Sequence, residues 1–164
     1  MSHRISMPRA AVSALLACAL LATLLPSMAD AAVPRTGYYS GQTSQTIAST
    51  DPAEQPKSGS VNFKVFTYGT SDGPVRKIFK VSATTQLQCA SGEVKEDLYV
   101  AYVILGGKID RLGRFKYSYN GFTIKGRFTT GTSAKGTLSH RVGDCKAENV
   151  NWSAKRSTGG LPVA

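Results

Sequence analysis

The stretch that decides the fold is RFKYSYNGFTIKGRFTTGTSAKG, residues 114–136. Asn120-Gly121 lies between two runs that alternate apolar and polar residues, and this dipeptide is the strongest short-range signal for a type I′ hairpin. With these two residues as the turn, Tyr119 pairs with Phe122 and the pairing continues along both strands. One face of the hairpin is then apolar and the other polar, so the sequence predicts an apolar face turned toward a β-sheet core.

The polar face of this hairpin carries an unusual charge pattern. Lys116 is expected opposite Lys125, and Arg114 opposite Arg127, although like charges across a strand pair are unfavourable. A third strand that returns along the hairpin adds Lys135 beside Arg127. The five cations predicted to share one sheet face are Arg114, Lys116, Lys125, Arg127 and Lys135.

These five cations have two interpretations. Lysines and arginines are common on a solvated outer face, where they keep apart and discourage edge pairing. They also make a surface that binds anions, because arginine suits bidentate recognition of acidic groups. Neutralisation by Glu93, Glu96 or Asp97 from another part of the sheet would favour the first interpretation.

The remaining segments predict an all-β domain over residues 32–164, with a frayed tail at 157–164. Glycine is frequent, and short β-branched or aromatic runs alternate with turn residues. The predicted fold is an antiparallel β-sandwich or flattened barrel of about seven to nine strands. Expected features are a strand at 37–46 broken at Gly41, a strand at 60–68, an extended run at 75–89 with a bulge or bend near Ala83, an acidic loop at 91–97, and a strand at 98–105 buried on both faces.

The N-terminus has the composition of a removed signal peptide, residues 1–31. Arg4 and Arg9 form a basic start, residues 10–25 are apolar, and Ala-Asp-Ala ends the segment in a small-x-small cleavage pattern. Cys18 follows Leu-Leu-Ala, so attachment through a lipid on this cysteine is the alternative to release. We therefore expect a secreted protein, extracellular or periplasmic.

The positive charge is concentrated near the C-terminus. The chain has 20 Lys and Arg against 10 Asp and Glu, a formal net charge of +10. Without the expected signal peptide the net charge is +9, of which residues 32–107 contribute +1 and residues 108–164 contribute +8. Such a surplus indicates attraction to polyanions and says nothing about the fold.

Two cysteines follow the expected signal peptide, Cys89 and Cys145. In an exported chain they most simply form one disulfide, worth about 4 kcal/mol on the chain-entropy model. Two free thiols or a redox pair are the alternatives, although no C-x-x-C spacing is present.

The chain is poor in residues for catalysis. His140 is the single histidine of residues 32–164 and follows Leu138 on the inward parity, so we interpret it as a core residue rather than a base or metal ligand. No G-x-S-x-G elbow and no cofactor motif occurs. Three nearby carboxylates, Glu93, Glu96 and Asp97, are a weak signal for calcium and keep a small carboxylate-based enzyme open.

The order of short motifs resembles a set of small secreted bacterial β-domains. The motifs are G-x-Y-x-G-x-T-x-Q at 37–45, Cys89, G-R-F at 113–115 and again at 126–128, T-S-A-x-G-T-L at 132–138, Cys145, and W-S-A-K at 152–155. These are structural residues, and no established activity comes with the set. The resemblance implies an exported β-domain and adds no mechanism.

The function predicted is that of an exported, monomeric, non-catalytic binding module whose basic sheet face contacts an anionic polymer or a membrane surface. Expected partners are an anionic polysaccharide or lipid headgroups, with nucleic acid less favoured. One of the adjacent Tyr38 and Tyr39 must point outward and is a candidate stacking residue. The alternative classes are an inhibitor or protein-interaction domain that uses loops such as 47–59, and the small enzyme named above.

Overall fold

The structure is a computed structural model that describes residues 32–49, 53–101 and 107–159, and over these ranges the chain is all-β. The predicted signal peptide and residues 102–105 of the predicted strand 98–105 lie outside the described residues. The eight strands are β1 (Gly37–Ile47), β2 (Lys57–Thr70), β3 (Gly73–Cys89), β4 (Val94–Ala101), β5 (Arg114–Tyr119), β6 (Phe122–Thr130), β7 (Ser133–Val142) and β8 (Cys145–Arg156).

All eight strands belong to one antiparallel sheet in the order β4-β3-β2-β1-β8-β7-β6-β5. A further pairing of β3 with β8 closes β1, β2, β3 and β8 into a small barrel. This closure consists of Gln88 opposite Lys146 and Cys89 opposite Cys145, and the two cysteines form a disulfide there. The predicted fold class and the predicted disulfide are both confirmed, and the bond fastens the shortest strand pairing of the barrel.

The core forms where the two halves of the sheet pack against each other. Phe63 of β2 is fully buried, and its ring lies 5.2 Å from Tyr39, 5.7 Å from Phe115, 5.8 Å from Trp152 and 6.3 Å from Phe128. Aromatic pairs in such tilted and edge-on arrangements add to the gain from burial. The inward face of β2 therefore packs on the inward faces of β5, β6 and β8.

β3 contains a β-bulge at Lys80, three positions before Ala83, near which a bulge or bend was expected. The pairing with β2 shifts between Phe63 and Lys64, which leaves Lys80 as the extra residue, with φ at +44°. A bulge moves every side chain beyond it to the other face of the sheet. As a result the odd-numbered residues of β3 point inward from Val81 onward and outward before it.

Two expectations about strand boundaries were wrong. β1 runs through Gly41 without a break, because the missing side chain lets the Ser153 carbonyl of β8 approach where a Cβ would clash. The irregularity in its pairing with β2 comes later, between Gln42 and Thr46.

The expectation for β4 was also wrong. This strand begins at Val94, inside the predicted acidic loop, and it pairs with β3 alone among the described residues. Leu98 and Val100 are 51% and 49% exposed, whereas Tyr99 and Ala101 are buried. β4 is therefore buried on one face, and its apolar sequence over the described residues does not mark a central strand.

Candidate functional site

The hairpin predicted around Asn120-Gly121 is present in the predicted register. The observed partners are Arg114 with Arg127, Lys116 with Lys125, Tyr117 with Ile124 and Tyr119 with Phe122. Asn120 and Gly121 have φ of +42° and +72°, the left-handed conformation that a type I′ turn requires at both positions. Because the register is as predicted, Phe115 and Phe122 are buried and the cations lie on the outer face. Tyr119, next to the turn, is 58% exposed, so its predicted place on the core face was wrong.

The third strand extends the outer face as predicted. Arg127 of β6 lies opposite Lys135 of β7, and Phe128 lies opposite Ala134. All five predicted cations are exposed. We call them the basic ladder, namely Arg114, Lys116, Lys125, Arg127 and Lys135.

Gly126 makes room for the core beneath the basic ladder. A Cβ at this position would lie 2.6 Å from Phe115 Cζ and 2.6 Å from Trp152 Cζ2. Both rings occupy the space that a side chain would take, so a glycine is needed at this position.

The outer surface of these strands is shallow rather than pocketed. A depression of about 400 Å³ lies among the basic-ladder side chains, over Gly126 and Gly136. A second one, of about 360 Å³, lies beside it over β1, β7 and β8 and shares Lys135 with the first. Its other polar lining side chains are Ser40, Gln42, Thr129, Ser133, Ser153 and Lys155. Cations and hydrogen-bonding groups are therefore continuous over this side of the sheet.

Lys155 is a cation of this face that the sequence reasoning missed. It is exposed in β8, opposite Ser133 of β7 and Ser40 of β1. The signal was present, because Trp152 and Ala154 are inward residues and strand alternation then places Lys155 outward.

One acidic residue, Asp110, approaches the basic ladder. Asp110 Oδ2 accepts a hydrogen bond from Arg114 Nε at 2.8 Å, and its Oδ1 accepts from the backbone N–H groups of Leu112 and Arg114. These hydrogen bonds, together with the charge of Arg114, lower the pKa of the Asp110 carboxyl. Arg114 is thus held in place, and the other four members have no ion pair within the described residues.

The acidic residues of the β3–β4 region do not neutralise this face. Glu93 pairs with Lys95 at 3.2 Å, and Glu96 pairs with Lys57 at 3.6 Å. Asp97 Oδ2 lies 3.4 Å from His140 Nε2. The condition that would have favoured a merely solvated face is therefore not met.

His140 is a buried core residue, as expected, and it has polar partners on both ring nitrogens. Thr85 Oγ1 lies 3.1 Å from Nδ1, and the ring is edge-on to Tyr99 and Phe122. Burial lowers the pKa of His140, and the charge of Asp97 opposes this shift only in part. Because Thr85 is fully buried, its hydroxyl cannot reach a substrate, and the cluster serves the core.

One group of metal-type ligands lies close together in the described part of the chain, Cys89, Asp144 and Cys145. The two sulfurs are bonded to each other and cannot act as thiolate ligands. The described residues also contain no helix long and apolar enough to cross a bilayer.

Comparison with known proteins identifies no relative of this chain. No family model matches the sequence, and no curated protein and no solved structure is significantly similar to it. The structure defines the chain as a disulfide-closed, all-β domain with a basic sheet face.

Proposed function

We propose that this protein is an exported, non-catalytic binding module whose basic sheet face contacts an anionic polymer. One observation carries the proposal. Arg114 faces Arg127, which faces Lys135, and Lys116 faces Lys125, so cations adjoin cations across three strands. Arg114 is compensated by Asp110, but the other four cations have no ion pair among the described residues, so their contacts are unfavourable in the free protein. A bound polyanion would replace this repulsion with attraction.

The shape of the face favours an extended ligand over a small one. The two depressions are shallow and adjoin, and neither encloses a small molecule as typical ligand pockets do. Neighbouring strands lie about 4.8 Å apart, so the three-strand row of cations spans about 10 Å of backbone. A chain with repeated negative charges can contact several members of such a row at once.

The side chains next to the basic ladder favour an acidic polysaccharide among the possible polymers. Hydroxyl and amide groups of Ser40, Gln42, Ser133 and Ser153 border it and suit a polyhydroxylated chain. The outward positions of β5, β6 and β7 hold no aromatic ring, whereas surfaces for single-stranded nucleic acid combine cations with rings on which bases stack. Lipid headgroups share the negative charge and are a second source of the same attraction.

The test compares two variants that lose the same number of positive charges. In the ladder variant glutamine replaces Lys116, Lys125, Arg127 and Lys135. In the control variant glutamine replaces Lys57, Lys95, Arg141 and Lys146, exposed cations that already pair with glutamates. Binding to heparin is measured by titration at low and at raised salt.

We expect the ladder variant to bind heparin about tenfold more weakly or worse, and the control variant to bind nearly as well as the natural chain. Binding should also weaken as salt rises, since exposed charges are screened. Equal losses in the two variants would mean that only net charge matters, and the assignment of this face would be withdrawn.

A further inference from the structure

A second outward-facing cluster lies on β1, β2 and β3, away from the basic ladder. Phe63 and Val65 of β2 are fully buried, so Lys64 and Phe66 between and after them point outward. Their partners in β3 are Phe79 and Lys77. We call the whole group the aromatic–lysine patch, namely Tyr38, Lys64, Phe66, Tyr68, Lys77 and Phe79.

The rings and lysines of this patch contact one another. Lys64 Nζ lies 5.0 Å from the centre of the Tyr38 ring, and Lys77 Nζ lies 5.0 Å from that of Tyr68. Phe66 is stacked on Tyr68 at 5.8 Å and is edge-on to Phe79 at 5.6 Å. Ammonium groups over tyrosine rings are held by cation–π attraction, so two cations are positioned on an aromatic base.

The bulge at Lys80 is what gives this patch its β3 members. Inward residues of β3 are odd-numbered after the bulge, so an unbulged strand would turn Lys77 and Phe79 into the core. Lys80 adopts φ of +44°, a conformation that non-glycine residues adopt rarely and at a cost. Bulges are features that re-aim side chains, and this one presents a lysine and a phenylalanine at the surface.

The patch is basic and unneutralised. Within the described residues neither Lys64 nor Lys77 pairs with a carboxylate, and the β-bridge partner of Lys77 is another lysine, Lys108. Asp72, in the turn between β2 and β3, lines a cavity together with Arg76 and Lys108. The patch therefore attracts negative charge.

The aromatic–lysine patch and the basic ladder face away from each other. Phe63 points from β2 across the core toward Phe115 of β5, whose neighbours in sequence are the outward cations Arg114 and Lys116. Lys64 and Phe66 point out of the other side of β2. A ligand on the ladder reaches the patch only by following the outer surface of the sheet across β8 and β1.

We propose that the aromatic–lysine patch docks on an anionic lipid surface. Half-buried tyrosine and phenylalanine rings with adjacent lysines suit the membrane interface, where ring bodies contact the acyl boundary and ammonium groups reach lipid phosphates. Charge complementarity supplies the attraction, since the patch offers two unpaired lysines and no acid. The proposal is independent of the polymer assigned to the ladder.

The state of the rings favours a lipid surface over a sugar chain or a nucleic acid. Tyr38 and Tyr68 already carry an ammonium group near the ring, and Phe66 is engaged by Tyr68 and Phe79. A base or a pyranose that stacks must first displace these contacts. A lipid surface meets the cluster from outside and leaves them in place.

The experiment reports which side of the domain contacts acyl chains. Tyr68→Trp places an indole in the patch, and Thr137→Trp places one among the outward residues beside the ladder, while Trp152 is buried and common to both variants. Each is mixed with vesicles of phosphatidylcholine alone, and with vesicles of phosphatidylcholine and phosphatidylglycerol in equal parts. Both lipid mixtures are also prepared with brominated acyl chains, which quench indoles that reach them.

We expect quenching of the Tyr68→Trp protein on the anionic vesicles only, and none beyond the Trp152 background for Thr137→Trp. The double variant Lys64→Gln, Lys77→Gln should bind anionic vesicles about 30-fold more weakly, at about fivefold per lysine near such a surface. Its near-ultraviolet circular dichroism checks that the core is intact.

Several results would overturn the proposal. These are quenching of Thr137→Trp instead, quenching of neither variant, or unchanged vesicle binding by the lysine double variant. A double variant that keeps vesicle binding but loses binding to heparin or to single-stranded poly-dT would assign the patch to a soluble polymer. Failure of the ladder test leaves all of these readouts unaffected, so the two proposals fail separately.

Discussion

The β5–β6 hairpin and the β2–β3 hairpin present lysines to solvent in two different ways. In the first, Lys116 and Lys125 are direct cross-strand neighbours, and they border a shallow depression that includes Gly126. In the second, Lys77 lies opposite Phe66 and over the ring of Tyr68. The first arrangement places like charges next to each other, and the second places a positive charge over an aromatic ring.

The difference teaches that similar charge does not mean a similar role. Repulsion between bare cations is stored in the free protein and is released by an anionic ligand, which is typical of a binding face. A lysine held over a ring already has a favourable contact, and it adds positive charge to an apolar surface. Lysines on the two hairpins should therefore respond in opposite directions to the same changes.

The largest effect is expected from adding a side chain at Gly126, on the inward face of the β5–β6 hairpin. Gly126→Ala should lower the free energy of unfolding by about 1–3 kcal/mol, because its Cβ would overlap the rings of Phe115 and Trp152. The matched control is Gly69→Ala in the β2–β3 hairpin, where a Cβ meets nothing within 4 Å and the change should stay within about 0.5 kcal/mol. Urea unfolding measures the change in the free energy of unfolding for both variants. Equal changes would mean that the space at Gly126 is no more tightly packed than that at Gly69.

A smaller loss of stability is expected on acidification, from the protonation of His140, whose contacts join the two halves of the sheet. His140 of β7 contacts Thr85 of β3, Asp97 and Tyr99 of β4, and Phe122 of β6, and its pKa is lowered by burial. At pH values above about 6.5 both folded and unfolded chains hold a neutral imidazole. As the pH falls below that, the unfolded chain binds the proton first, so stability is lost toward the lowered folded pKa.

The measurement is the urea midpoint between neutral pH and pH 5 for the natural chain and for His140→Gln. The difference between the two curves isolates the histidine from the other titrating groups. We expect the natural chain to lose stability more steeply on acidification. A steeper loss in the variant would mean that Asp97 outweighs burial and that the shift has the opposite sign.

The smallest effect is the one that compares the two kinds of lysine most directly. Lys125→Gln removes a repulsion and should stabilise the fold by about 0.2–0.5 kcal/mol. Lys77→Gln removes a cation–π contact and should destabilise it by about 0.5 kcal/mol. Thermal unfolding of the two single variants at low salt shows the signs, and two shifts of the same sign would erase the distinction between the hairpins.

Much of the candidate site was predictable because its determinants are local. Asn120-Gly121 sets the turn, the turn sets the register, and period-two alternation then places each cation of the basic ladder. Asp110 escaped because it reaches Arg114 from an irregular segment before β5, through backbone and side-chain hydrogen bonds that carry no periodic signal. Lys155 was not predicted as part of this face, because its place beside the ladder depends on which strand pairs with β7.

The aromatic–lysine patch was predictable from the sequence only in part. Alternation identified an outward tyrosine in the pair Tyr38 and Tyr39, and the structure places Tyr38 there. Phe66 and Tyr68 lie on β2 at the parity opposite to the buried Phe63 and Val65, so alternation places them outward as well. The β3 members Lys77 and Phe79 could not be placed, because the bulge at Lys80 reverses the parity of β3 and nothing in the residues before it marks where the extra position falls. The expected bulge or bend near Ala83 was close in sequence, but a shift of even one residue inverts every side chain beyond it.

By itself the amino-acid sequence determined the all-β class, the pairing of Cys89 with Cys145 and the register of the β5–β6 hairpin. Each follows from short-range geometry or from there being two cysteines in the expected mature chain. Only the tertiary structure decided that Val94, Leu98 and Val100 are exposed on β4, that His140 contacts Thr85 and Asp97, and that β2 packs against β5 through Phe63 and Phe115. These depend on which strands become neighbours across long loops, and that choice is made by the burial of the whole core rather than by any single segment.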